Sequence, residues 1–196
     1  MTNYNTTVFD TETCGIDNGS IILTLSAVKF DRHASKLELS HECELHINLS
    51  ISEQILKGRT IEKGTIAWWQ KQSEEAKNAA FYDEQDPVSV SLERFFKFIE
   101  GTQVYCRGTD FDPPKLASLC KDFGVKMPIK YNQFRDVRTY IDALTDGTKG
   151  YIEDIEPKGF VAHDSLSDCW RDATQMIHAR QSLCLMPEIN SNQTAS

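Results

Sequence analysis

The order of strand and helix patterns constrains the fold of this 196-residue chain more than any other feature of its sequence. Three β-prone runs come first, over residues 7–10, 21–30 and 37–49, and short polar turns join them. Strands joined by short turns pair antiparallel, because a parallel pair needs a long crossover connection. The first part of the chain therefore predicts an antiparallel meander.

Helical and strand patterns alternate in the rest of the chain. Apolar side chains recur at helical spacing, and Gly101 and Gly124 stand where two of these segments would end. We predict helices over residues 65–81, 89–100, 113–124 and 165–185, a strand over 103–107, and a strand-to-helix step over 132–144. This order is typical of an α/β domain in which helices flank a mixed sheet.

The composition excludes several classes of protein. The 29 acidic and 21 basic residues give a net charge of −8, which argues against a protein that holds nucleic acid by bulk positive charge. No stretch approaches about 18 apolar residues, and the N-terminus lacks the basic flank and apolar run of a signal peptide. The six cysteines contain no C-x-x-C pair, which is typical of free thiols in the cytosol. We therefore expect a cytoplasmic protein without a membrane segment.

Acidic residues gather at two turns of the predicted fold. Asp10 and Glu12 lie two apart at the end of the first strand, so both carboxylates point to one face and can reach the same ion. Asp110 and Asp112 lie between the strand over residues 103–107 and the following helix. Taken singly, the first pair also fits a solvated turn, and Asp112 also fits a simple helix N-cap.

A third group, His163 and Asp168, stands at the start of the last predicted helix. Residues five apart on a helix diverge by about 140°, so the two side chains converge only if His163 lies on the preceding loop. A single histidine beside acids is more often a surface residue than a catalyst. Four carboxylates from three segments together with one histidine, however, suffice to bind two divalent cations and to supply a base.

In this order the three groups resemble a known superfamily. Asp10-Thr11-Glu12, Phe111-Asp112 before a helix, and His163-x4-Asp168 are similar to the three motifs of the DEDDh 3′–5′ exonucleases, which have a ribonuclease-H-like fold. Flanking segments strengthen the resemblance and are similar to the exodeoxyribonuclease A group of T-even bacteriophages. These segments are residues 65–69, 106–108, 135–139 and 159–165, and the likeness extends over about residues 4–185.

The resemblance implies a role for each motif residue. The family places its second acid directly after phenylalanine, which favours Asp112 over Asp110. His163 would act as the general base that activates water for attack on the terminal phosphodiester. The implied ligands of two Mg²⁺ or Mn²⁺ ions are Asp10, Glu12, Asp112 and Asp168.

Four further residues are candidates for substrate contact. By the resemblance, Thr13 and the backbone at Gly15 would lie beside the terminal nucleotide. Trp68 and Trp69 point about 100° apart on a helix, so one is expected in the core and the other is free to stack on a base. Which of the two stacks on a base, if either, stays open, and we name Trp69 as the candidate. Arg107 begins a locally basic segment that could follow the phosphate backbone.

These observations predict one exonuclease domain over residues 1–186, followed by a polar tail over 187–196. The expected activity is metal-dependent 3′–5′ hydrolysis of single-stranded DNA to nucleoside 5′-monophosphates. A 3′–5′ exoribonuclease is the alternative within the same fold, because the same motifs serve both substrates. A catalytically inert module that binds nucleic acid is a second alternative, although all five motif residues are present. The sequence makes no prediction of oligomeric state.

Overall fold

The centre of the fold is a five-stranded sheet with the strand order β3-β2-β1-β4-β5, seen in a computed structural model. The structure describes residues 4–36, 41–82, 84–147 and 149–184. The strands are β1 (Thr6–Thr13), β2 (Ile22–Phe30), β3 (Glu44–Asn48), β4 (Gln103–Cys106) and β5 (Arg135–Asp136). β1, β2 and β3 pair antiparallel, whereas β4 pairs parallel with both β1 and β5. The predicted meander and mixed sheet are confirmed.

Helices cover both faces of this sheet, as the α/β prediction requires. The α-helices are α1 (Ile51–Leu56), α2 (Lys63–Trp69), α3 (Glu74–Lys77), α4 (Val88–Phe98), α5 (Asp112–Phe123), α6 (Val137–Thr145) and α7 (Ser165–Cys184). The predicted C-cap of α5 is confirmed, because Gly124 adopts the left-handed conformation with φ of 68°. In the part of the chain that the structure describes, no helix is long and apolar enough to cross a membrane.

Two predicted elements had wrong boundaries, and one helix was not predicted. The single helix expected over residues 65–81 is broken after Trp69, because Ser73 accepts a hydrogen bond from Ala76 N at 3.1 Å and starts α3. The third strand begins at Glu44, after a 3-10 turn over His41–Cys43, and residues 37–40 lie outside the described ranges. Helix α1, which Ser50 caps, was not predicted. The predicted tail over residues 187–196 also lies outside the described ranges.

The core explains why β1 is buried along its length. Successive side chains of a strand point to opposite faces, so Phe9 packs on Phe95 of α4 on one side, with ring centroids 5.7 Å apart. Val8 faces the other side, in a cluster with Met176 of α7. Because β1 and β4 run parallel, their carboxyl ends open at the same edge of the sheet. This edge receives the acidic residues of β1 and the turn that follows β4.

Candidate active site

Three elements bring the predicted acids together around one cavity of about 550 Å³. β1 supplies Asp10 and Glu12, the first turn of α5 supplies Asp112, and the first turn of α7 supplies Asp168. The hydroxyl of Thr11 donates to Asp112 Oδ1 at 2.5 Å and orients that carboxylate. The acids therefore share one wall of the cavity even though they come from distant parts of the sequence.

Burial and mutual repulsion make these carboxylates resist ionisation. Burial raises the pKa of Asp10 well above its ordinary value, and the charges of Asp112 and Glu12 raise it further. The pKa of Glu12 is raised for the same reasons, with Asp168 as its strongest neighbour. Burial raises the pKa of Asp112 to about 7, although the hydrogen bond from Thr11 opposes the shift. Burial also raises the pKa of Asp168, against the opposing charge of Arg171.

A cluster of this kind fits hard divalent cations. Ions such as Mg²⁺ prefer several carboxylate oxygens, and their charge removes the repulsion that the acids otherwise carry. Glu12, His163 and Asp168 each offer a ligand atom, and these atoms all lie within 4.8 Å of one another. The cavity therefore holds a possible carboxylate metal site, and this group contains two of the four predicted ligands, Glu12 and Asp168.

His163 reaches the carboxylates from the loop that precedes α7. Its backbone is in the left-handed region with φ of 65°, which is uncommon for a residue with a Cβ atom and is typical of functional sites. Its backbone N–H donates to Asp168 Oδ2 at 3.0 Å, and its ring packs edge-on against Trp68 with centroids 4.6 Å apart. The loop position lets His163 converge with Asp168 despite their spacing of five residues.

Comparison with known proteins agrees with this geometry. Residues 5–179 match the family described as the 3′–5′ exoribonuclease Rv2179c-like domain. The chain belongs to this family. It is also 32% identical over 198 residues to the exodeoxyribonuclease of Enterobacteria phage T4, covering 88% of this chain and 87% of that protein. The predicted superfamily and the predicted class of enzyme, a 3′–5′ exonuclease, are confirmed.

Solved structures show that this exonuclease has the predicted ribonuclease-H-like fold. E. coli exonuclease I in complex with a dA16 oligonucleotide matches 91% of this chain with a TM-score of 0.61 and 13% identity. The chain spans 42% of exonuclease I. S. pombe Pop2p in its Mg²⁺- and Mn²⁺-bound form matches 91% of this chain and 83% of its own, with a TM-score of 0.55 and 14% identity.

The two adjacent tryptophans of this exonuclease take different positions, and the choice of Trp69 as the stacking residue was wrong. Trp69 is only 2% exposed, and its indole N–H donates to the carbonyl oxygen of Thr13 at 2.9 Å, so its ring belongs to the core. Trp68 is 39% exposed and lines the cavity beside His163. Trp68 therefore has the position that the sequence analysis expected for Trp69.

The other predicted substrate residues, Thr13, Gly15 and Arg107, also line the cavity, and each forms hydrogen bonds within the protein. Thr13 donates its hydroxyl to the carbonyl of Gly15 at 2.8 Å, which fixes the turn after β1. Arg107 is held elsewhere, since its guanidinium donates to Asp172 Oδ1 at 2.9 Å and to Gln175 Oε1 at 3.2 Å. The positive charge of Arg107 is therefore already paired inside the protein.

Two residues that the sequence analysis missed hold the turn after β1 in place. The ammonium of Lys115 donates to the carbonyls of Gly15, Ile16 and Asp17 at 3.1, 2.6 and 2.8 Å. Glu62 Oε1 accepts from the backbone N–H groups of Ile16 and Asp17 at 2.8 and 3.1 Å. These bonds fix the conformation of the turn that forms part of the cavity wall. Lys115 lies among the apolar residues of α5 and carries no sequence signal for this role.

Proposed function

We propose that this exonuclease removes nucleoside 5′-monophosphates one at a time from the 3′ end of single-stranded DNA. Two divalent cations, Mg²⁺ or Mn²⁺, would be held by the four acids of the cavity wall: Asp10, Glu12, Asp112 and Asp168. The observation that carries the proposal is the convergence of these four carboxylates and His163 on one cavity, since such a group of acids is stabilised by added positive charge. When bound, such ions supply Lewis-acid stabilisation of the charge that develops on the phosphate.

His163 is the proposed general base. It lines the cavity, and a neutral imidazole accepts a proton near neutral pH, which lysine and arginine do not readily do. The bond from its backbone N–H to Asp168 and the contact of its ring with Trp68 fix its position beside the acids. Water that loses its proton to His163 attacks phosphorus, and the 3′-oxygen of the preceding nucleotide leaves.

Trp68 is the proposed platform for a base near the 3′ end. A half-exposed indole on the cavity wall provides a stacking surface for a base of any sequence. The turn at Thr13 and Gly15, which Lys115 and Glu62 hold rigid, would place backbone groups against the terminal nucleotide. A single-stranded substrate is supported by the dA16 oligonucleotide in the complex of E. coli exonuclease I, which shares this fold.

DNA is favoured as the substrate because the relative from phage T4 is an exodeoxyribonuclease and shares 32% of its residues over most of both chains. An exoribonuclease is the second candidate, because the matching family is described by that activity. The two activities differ in whether the site accepts a 2′-hydroxyl. A cytoplasmic location and a domain that extends over residues 1–186 remain predictions.

The test compares 5′-labelled single-stranded DNA, duplex DNA and single-stranded RNA, each incubated with the protein and Mg²⁺. We expect a ladder that shortens from the 3′ end of single-stranded DNA and that is absent with EDTA or in Asp10→Ala. Cleavage of RNA alone would assign the exoribonuclease activity. Binding of either strand without any cleavage would indicate an inert module.

Replacing His163 with alanine separates chemistry from binding. We expect His163→Ala to lose about 10²- to 10⁴-fold in kcat, the usual contribution of a general base, while its affinity for the labelled strand is retained. Single-turnover cleavage and fluorescence anisotropy measure the two quantities. Turnover near that of the wild type would remove His163 from the base role.

A further inference from the structure

Three arginines line the cavity, and two of them are already paired with acids. Asp172, which lies one helical turn after Asp168 on α7, accepts from Arg107 and from Arg171. Its Oδ1 atom lies 2.8 Å from Nη2 of Arg107 and 2.9 Å from Nη2 of Arg171. Arg171 also contacts Asp168 directly. Neither guanidinium is therefore free to receive an incoming phosphate without giving up an internal partner.

Arg138 differs from the other two arginines. It is exposed on the first turn of α6 and lines the same cavity. Within residues 4–36, 41–82, 84–147 and 149–184 its side chain forms no ion pair and no hydrogen bond. A guanidinium presents five donors in a planar fork that matches the oxygens of a phosphate. Arg138 is therefore the cavity arginine whose donors remain available.

Two glycines leave room for this side chain. A Cβ atom at Gly108 would lie 3.1 Å from Nη1 of Arg138, and one at Gly150 would lie 2.3 Å from its Cβ atom. Both glycines also have positive φ, at 106° and 71°, a backbone conformation that residues with a Cβ atom disfavour. Gly108 lies in the turn that leads to Asp112, and a Cβ atom there would also lie 3.4 Å from Oδ1 of Asp110. The guanidinium therefore lies along this turn, on the wall of the cavity that Asp112 also lines.

We propose that Arg138 binds the phosphate one nucleotide upstream of the bond that is cut. This inference rests on the proposed function, because the scissile phosphate must lie at the carboxylates and the next phosphate must leave the cavity along its wall. Arg138 would thereby align a strand of at least two nucleotides and would contribute nothing to a substrate with a single phosphate. Its role is in binding the strand, whereas the chemistry belongs to the acids and His163.

The test uses two substrates that differ in the upstream phosphate. One is a short single-stranded oligonucleotide, and the other is the p-nitrophenyl ester of thymidine 5′-monophosphate, which has only the phosphate that is attacked. We expect Arg138→Gln to lower kcat/KM on the oligonucleotide by about 10- to 100-fold, mainly through KM, as the loss of a charge-assisted hydrogen bond implies. Hydrolysis of the ester should be unchanged.

A matched control removes the same charge nearby. Arg135 is exposed three residues earlier and lines a different cavity, beside Phe96 and Ile129, so Arg135→Gln should leave both substrates unaffected. Arg138→Lys should restore part of the affinity, because it keeps the charge and loses the planar fork. The slope of log affinity against log salt should fall by about 0.7 in Arg138→Gln, the value for one phosphate of a single strand.

The outcomes separate this inference from the proposed function. If Arg138→Gln slows the ester as much as the oligonucleotide, or slows neither, Arg138 does not bind the upstream phosphate. If the wild type cleaves neither substrate, the proposed function fails, and anisotropy of the labelled oligonucleotide in Ca²⁺ still tests Arg138. In that assay, equal affinity of the wild type, Arg138→Gln and Arg135→Gln would overturn the inference.

Discussion

Asp112 and Asp172 are both only 2% exposed, but their surroundings give them opposite properties. Asp172 lies between the guanidinium groups of Arg107 and Arg171, so its negative charge is compensated within the protein. Asp112 forms no ion pair among the described residues, and burial raises its pKa to about 7. The comparison shows that burial alone does not define a reactive acid. What distinguishes Asp112 is that no guanidinium pairs with it among the described residues, although the charge of Lys115 opposes the rise of its pKa.

Asp168 lies between these two extremes. It contacts Arg171, as Asp172 does, but it also faces the cavity with Glu12 and His163. Burial still raises its pKa despite the neighbouring guanidinium. One helix therefore carries a cavity acid and a structural acid four residues apart, and the same arginine contacts both.

The largest effect is expected from Asp112→Asn. This change keeps the shape of the side chain and removes its charge, so the proposed cation site loses a ligand. Because Lewis-acid stabilisation supplies several kcal/mol, kcat should fall by about 10³-fold or more. The melting temperature in EDTA should stay the same or rise, because a repulsive buried charge has been removed. Initial rates give kcat, and thermal unfolding gives the melting temperature. A marked loss of stability in EDTA would show that Asp112 is a structural acid after all.

Asp172→Asn should have the opposite profile. Removing the charge of Asp172 takes from two partly buried guanidinium groups the carboxylate that they share, although Arg171 keeps Asp168 and Arg107 keeps Gln175. The free energy of unfolding in EDTA should therefore fall by about 1.5–3 kcal/mol, the range for hydrogen bonds to charged groups. Asp86→Asn is the matched control, because Asp86 pairs with Arg94 at 3.3 Å on the surface, where such pairs contribute about 0–1 kcal/mol. Urea unfolding gives both values. Equal losses in the two variants would contradict the role of the internal network.

The effect of cations on stability should increase with pH. The folded-state pKa of Asp112, about 7, lies above its ordinary value of 3.8, so without metal the folded state loses stability as the pH rises through this interval. Saturating Mg²⁺ removes this cost and should raise the melting temperature by about 5–10 °C at pH 8, for a hundredfold excess over Kd. The shift should be much smaller at pH 5. Thermal unfolding at both pH values, with Asp112→Asn as the control, checks the prediction, and a shift that is independent of pH would contradict it.

The smallest effects are expected at the two tryptophans, which repeat the contrast between cavity and core. Trp68→Ala should weaken binding of single-stranded DNA by about 5- to 100-fold, the range for one stacked base, with little change in stability. Trp69→Phe should reduce stability by about 1 kcal/mol through the lost bond to Thr13 and should leave binding unchanged. Anisotropy and urea unfolding distinguish them. Reversed effects would return Trp69 to the stacking role.

Hydrophobic periodicity predicted most of the fold, and the motif residues that the resemblance singled out line one cavity. These predictions rest on local sequence rules, such as two acids on one strand, an acid before a helix and a glycine after a helix. The choice between Trp68 and Trp69 was not predictable in this way, because it depends on which side of a short helix packs against Thr13 and Phe81. Lys115 was missed for a similar reason, since its three carbonyl partners lie about 100 residues earlier in the chain.

Titration of the protein with Mn²⁺ by isothermal calorimetry tests the central claim most directly, namely that the acids of the cavity (Asp10, Glu12, Asp112 and Asp168) hold divalent cations. The wild type should bind two ions per chain, Asp112→Asn should bind fewer, and Asp86→Asn should bind two. A wild type that binds no ion, or an Asp112→Asn variant that binds as many ions with the same affinity, would contradict the account.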